Sequence, residues 1–144
     1  MNTVVITVIG SQQDAEGDDN RIELITVGRH YEKNGVHYIT YQETQLSGME
    51  GTTTLLKVYS DRITLVRMGS VQQKQEFRLG EKTCGTYITP YGTMEMAAVT
   101  NKLDFSYLGA GGSMHIEYEL EIDGHWQSKN ELIVNIQEEQ KSGC

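Results

Sequence analysis

The sequence is poor in the features that mark a membrane span, a disulfide scaffold or a nucleic-acid grip. It has no apolar run near the roughly 18 residues that a membrane-crossing helix needs. Its two cysteines, Cys84 and Cys144, are too few for a disulfide framework. Bases are scarce: 12 Lys+Arg stand against 20 Asp+Glu, a net charge of -8. That balance works against a sequence-independent hold on nucleic acid or on an anionic membrane face, so neither is expected as a partner. The opening stretch, residues 1–10, has no basic segment and no small-residue cleavage site, and it reads as structure rather than an export signal. The expectation is a cytoplasmic protein with free thiols. Acids outnumber bases at both ends of the chain and balance them in the middle, a pattern of solvated strand faces and a polar tail.

What is present points one way. The 144 residues suffice for one domain with a sizeable core, 1–144. No segment holds a helical period for ten residues, whereas nearly every segment alternates with period two. Glycine is frequent and proline occurs once, at Pro90. Turn signals recur about every 8–12 residues, the spacing of a sandwich or barrel. Strands are expected near 2–10, 21–33, 36–46, 52–59, 62–68, 74–80, 84–90, 93–101, 103–108, 113–122 and 126–137, with residues 11–20 as a polar loop. A meander of this length has an edge problem that closure removes. The fold class is therefore all-β: a closed antiparallel up-and-down barrel of about 8–10 strands.

Three hairpins can be tested against the pleat, because directly opposed residues share a face. Asn34-Gly35 is a two-residue turn signal that sets Tyr31 opposite Tyr38 and Glu32 opposite His37. Ser60-Asp61 sets Tyr59 opposite Arg62 and Thr54 opposite Arg67. It places Arg67 on the face of Leu56, Val58, Ile63 and Leu65, which is the inward one. In the third hairpin, Met114, Ile116, Tyr118, Leu120 and Ile122 alternate with polar residues. A plain Asp123-Gly124 turn would oppose Ile116 to Glu131, apolar to polar. One extra residue, as in a three-residue turn with a bulge, aligns Ile122 with Trp126, Ile116 with Leu132 and Met114 with Val134. The pattern demands the bulge.

Little in the chain carries chemistry on its own. His30, Glu32 and His37 share a hairpin face and are metal-capable, but the plainer reading is a solvated polar patch. His115 lies on a polar strand face and His125 in a turn. Glu117, Glu119 and Glu121 line an exposed face, where a catalytic pKa shift is not expected. There is no Gly-x-Ser-x-Gly elbow, and neither cysteine has a histidine nearby in sequence. Gly109-Ala110-Gly111-Gly112 joins two strands, so it is no phosphate loop. Two dense segments remain: residues 47–54, a glycine-bracketed loop entering a threonine-rich strand, and Thr86-Tyr87-Ile88-Thr89-Pro90-Tyr91-Gly92. Turn chemistry and strand propensity account for both. Their functional reading is a loop and tyrosines at a barrel mouth.

Taken together, several of these stretches resemble the YwiB-like family of bacterial domains of unknown function. The likeness runs through Ile22-Glu23-Leu24, Tyr41-Gln42-Glu43, Gly48-Met49-Glu50-Gly51-Thr52-Thr53-Thr54, Arg67-Met68-Gly69, Phe77-Arg78-Leu79-Gly80, residues 87–92 and Tyr118-Glu119-Leu120. The resemblance implies a closed, calycin-like barrel similar in architecture to lipocalins. It brings no established activity and no catalytic residues, and likeness to ligand carriers is analogy.

The expected function is a non-catalytic small-ligand-binding barrel for a small anionic or amphipathic molecule, with Arg67, Glu43, Tyr87 and Tyr91 as binding residues. No catalytic residue, cofactor or metal is expected. The competing reading is an adaptor with a solid barrel that contacts another protein through its surface. Lumen volume discriminates the two: a void favours the binder and a solid core favours the adaptor. Arg67 is the pivot, because a guanidinium keeps its charge and costs several kcal/mol to bury unpaired. Its expected partners are Glu43, the hydroxyls of Tyr87 and Tyr91, or an anionic ligand.

Overall fold

Among the described residues ten antiparallel strands pair with their neighbours in sequence order, and the tenth closes on the first. They are β1 Asn2–Asp14, β2 Asp19–Lys33, β3 Val36–Gln42, β4 Thr53–Val58, β5 Ile63–Met68, β6 Gln72–Phe77, β7 Lys82–Thr89, β8 Gly92–Leu108, β9 Gly111–Ile122 and β10 His125–Glu138. Among the described residues a single 3-10 turn, Gln45–Ser47, interrupts them. This computed structural model describes residues 2–139. Cys144, expected to be a free thiol, lies outside the described residues, and Cys84 is free and exposed.

The hairpin registers follow the turn chemistry. Asn34 and Gly35 both have positive φ, at 53° and 78°, and Tyr31 faces Tyr38 with rings stacked at 4.6 Å. Thr54 faces Arg67 across the second hairpin. In the third, Ile116 faces Leu132 and Met114 faces Val134, as the pattern demands. The extra residue is not in the turn, however. Asp123 and Gly124, at φ 50° and 83°, make a two-residue turn with His125 opposite Ile122. The register shifts instead between Trp126 and Ser128, inside β10, so Trp126 faces Glu121 and not Ile122. Either placement restores apolar-to-apolar pairing beyond the bulge, which is why the pattern could not separate them.

Two other expectations change. Residues 93–101 and 103–108 are one strand, continuous through a bulge between Thr100 and Lys102. The polar loop shrinks to residues 15–18, because β1 and β2 extend through it. Its turn is held by Asp14 Oδ1, which accepts from the backbone N–H of Glu16 and of Asp18, both at 3.0 Å.

The inward faces fill the middle of the barrel. Val4, Ile6, Ile39, Leu56, Ile63, Phe77, Met114, Ile116 and Val134 are all buried and form one cluster. Gly28 shows how close the walls come. It sits opposite Val4 of β1, one residue before the ladder to β3 begins, and a Cβ there would lie 2.3 Å from the Thr40 carbonyl oxygen and 2.5 Å from Ile6 Cδ1. No helix among the described residues is long and apolar enough to cross a membrane, which says nothing of strands.

Candidate functional site

Up-and-down connectivity puts five connections at one end of the barrel and four, with the termini of β1 and β10, at the other. Both ends are polar inside. The β3–β4 and β5–β6 connections gather at what we call the arginine end. Arg67 points inward from the penultimate position of β5, as its register requires, and is half-buried. Its Nη1 donates to Gln73 Oε1 at 2.6 Å, and its Nε donates to Thr54 Oγ1 at 3.4 Å. Thr54 in turn donates to Glu43 Oε1 at 3.1 Å. Gln73 turns its amide toward Met96 Sδ. The chain Gln73–Arg67–Thr54–Glu43 thus crosses three strands and the loop after β3.

Electrostatics at this end follow from burial. Glu43 is 7% exposed and Thr54 fully buried. Burial first, then the adjacent Glu43 carboxylate, pushes the Tyr41 phenol far above its ordinary value, while Arg67 pulls it back. Burial also raises Tyr118, again opposed by Arg67. No carboxylate among the described residues forms an ion pair with Arg67. Its partners are a neutral hydroxyl and a neutral amide, and Glu43 is reached only through Thr54.

Of the expected binding residues, the structure therefore joins Arg67 and Glu43. Tyr87 is half-buried opposite Gln73 on the same face, without a hydrogen bond to Arg67 among the described residues. Tyr91 does not belong to the site: it is 99% exposed at the tip of the β7–β8 turn. A hairpin tip beyond the last ladder pair lies past the wall, so its ring points to solvent. Thr54, Tyr41 and Gln73 were missed. The register that faced Arg67 with Thr54 already contained the first of them.

At the opposite, histidine end, the expected solvated patch is not what forms. His30 is 4% exposed, and its Nε2 lies 2.9 Å from His37 Nδ1. Its ring stacks on Tyr107 at 4.2 Å, and Tyr107 donates to Glu138 Oε1 at 3.1 Å. Phe105 closes on His37. These rings arrive from β8, far away in sequence, and convert a hairpin tip into an interior. Only Glu32, 3.6 Å from His37 Nε2, stays exposed. Burial, then the neighbouring His37, lowers the pKa of His30. Its Nδ1 is buried without a partner among the described residues.

Comparison with known proteins bears on the fold. The model of the family described as "Domain of unknown function (DUF1934)" matches residues 6–134. The chain is similar to the "Uncharacterized beta-barrel protein YwiB" of Bacillus subtilis (strain 168), 22% identical over 135 residues that span 94% of each protein. It also superposes on "Crystal structure of ywiB protein from Bacillus subtilis" with a TM-score of 0.85 at 22% identity, covering 96% of this chain and 93% of the other. An identity that low carries the architecture and no function.

Proposed function

We propose, from the premise that this chain belongs to the DUF1934 family, that it is a non-catalytic binder of a small anionic ligand at the arginine end of its barrel. One observation carries the reading: a half-buried, inward guanidinium whose hydrogen-bond partners, Thr54 and Gln73, are both neutral. Such a cation keeps its charge, so an anion at the mouth gains a charge-assisted, bidentate partner. The packed middle of the barrel confines the ligand to the mouth, unlike the deep cavity of a lipocalin-type carrier. A cytoplasmic setting is part of the same reading.

A second reading has its own support. The filled core favours an adaptor that works through its outside, where Ile25 and Val27 are 67% and 56% exposed on β2. Native mass spectrometry of the protein purified from cells separates the two. The binder predicts a small acid adding to the mass of the wild type and lost from Arg67→Met, with the barrel still folded. A bare wild-type mass overturns it in favour of the adaptor.

A further inference from the structure

The outer face of β9 and β10 carries three ligand-bearing side chains that the arginine-end reading does not use. His115 and Glu117 are alternate residues of β9 and so share a face, and Glu131 on β10 sits directly opposite Glu117. This is the placement by which two neighbouring strands aim three side chains at one point above a sheet. His115 Nε2 lies 2.7 Å from Glu131 Oε2 and 3.9 Å from Glu117 Oε1. One donor atom from each of the three falls within 4.8 Å of the others.

The charges need a cation. Two carboxylates directly opposed across an antiparallel pair repel each other. Lys102 faces Glu117 from β8, yet its nearest carboxylate is Asp104, at 4.0 Å. Among the described residues neither Glu117 nor Glu131 has a lysine or arginine ion pair, and His115 is their one shared partner. Both carboxylates also border an open groove of about 560 Å³, which leaves room for water as further ligands.

We propose that His115, Glu117 and Glu131 form a site for a divalent transition metal, Zn²⁺ by preference. One imidazole nitrogen with carboxylate oxygens suits zinc better than magnesium or calcium, which favour all-oxygen sets. Tetrahedral coordination at ordinary zinc bond lengths spaces ligand atoms about 3.3 Å apart, so modest side-chain rotation closes the cluster onto an ion. The open groove side makes it a site with exchangeable positions rather than a closed structural one. Sequence alone left His115 on a polar face: the bulged register opposes Glu131 to Glu117, but it does not show the three side chains converging.

The test is calorimetric titration of Zn²⁺ into full-length protein stripped by a chelator. We expect one equivalent to bind, with Mg²⁺ giving no comparable heat. His115→Ala and Glu131→Gln should each weaken Zn²⁺ by about tenfold or more, since one removes the imidazole ligand and the other the carboxylate charge. Cys84→Ser and His125→Ala should leave the titration unchanged. Co²⁺ supplies a second readout, a visible ligand-field absorption that both cluster variants lose. A flat zinc titration, or one identical in wild type and both cluster variants, overturns the site.

Discussion

At the histidine end the buried polar atoms belong to rings stacked on one another, whereas at the arginine end they belong to a cation, a carboxylate and the hydroxyl between them. The two ends meet the same problem, polar groups taken out of water, in different ways. Burial, then the neighbouring His37, favours the neutral form of His30, and stacking holds the ring by aromatic area. Arg67 has no neutral form and needs hydrogen bonds on several nitrogens. The histidine end is thus a plug whose energetics resemble the core, and the arginine end is a network whose energetics depend on each link. That difference is why a ligand reading attaches to one end and not the other.

Gly28→Ala should break the histidine end most severely. The new methyl would collide with the Thr40 carbonyl and with Ile6 at the floor beneath His30. Backbone cannot swing aside as a flexible side chain can, so the loss should reach about 3 kcal/mol, at the upper end of overpacking costs. Urea unfolding reads it as a lower midpoint at unchanged slope. A near-neutral result would mean that the wall at Gly28 is softer than its contacts imply.

Thr54→Val tests the arginine end with a shape-conserving change. It removes the hydroxyl that accepts from Arg67 and donates to Glu43, leaving a buried carboxylate short of a donor. The expected cost is about 1–3 kcal/mol. If the network is the whole reason for the polar end, Thr54→Val combined with Arg67→Met should cost less than the two separate losses added together. Additive losses would show the links to be independent.

Much of this contrast was legible beforehand, and unevenly so. The Asn34-Gly35 turn set Tyr31 against Tyr38, and the Ser60-Asp61 turn set the register that carried Arg67 inward and put Thr54 beside it. The same logic, applied to the bulged third hairpin, already implied Glu131 opposite Glu117. What could not be read was anything that depends on distant strands meeting. His30 resembles a solvated residue until Tyr107 and Phe105 arrive from β8. The polar arms of β1 and β2 lack apolar alternation, yet they pair, because backbone hydrogen bonds to β10 on one side of β1 and to β2 on the other satisfy them whatever their side chains.

Acid should weaken the histidine end. The pKa of His30 is lowered in the fold by burial and by His37, relative to an unfolded value of 6.5. Below that value the unfolded chain binds the proton more readily than the folded one. Stability is therefore complete above it and is lost as the pH falls through 6.5 toward the folded value. Urea midpoints at several pH values should fall with acid in the wild type and less so in His30→Phe. An equal fall in both would place the acid sensitivity elsewhere.

The smallest effect should come from the residue that the sequence placed in the site and the structure removes from it. Tyr91 is almost wholly exposed at a turn tip, and its contact to the fold is a backbone N–H donated to Thr89 Oγ1, which a substitution retains. An exposed ring that buries no area has no transfer energy to lose, so Tyr91→Ser should change stability by no more than about 0.5 kcal/mol. It should equally leave intact any small acid that Arg67 retains in native mass spectrometry. Loss of that acid from Tyr91→Ser would mean that the tip folds back over the arginine end when ligand binds. The mouth would then be a closing one, and the contrast between a stacked histidine end and a hydrogen-bonded arginine end would hold only for the ligand-free barrel.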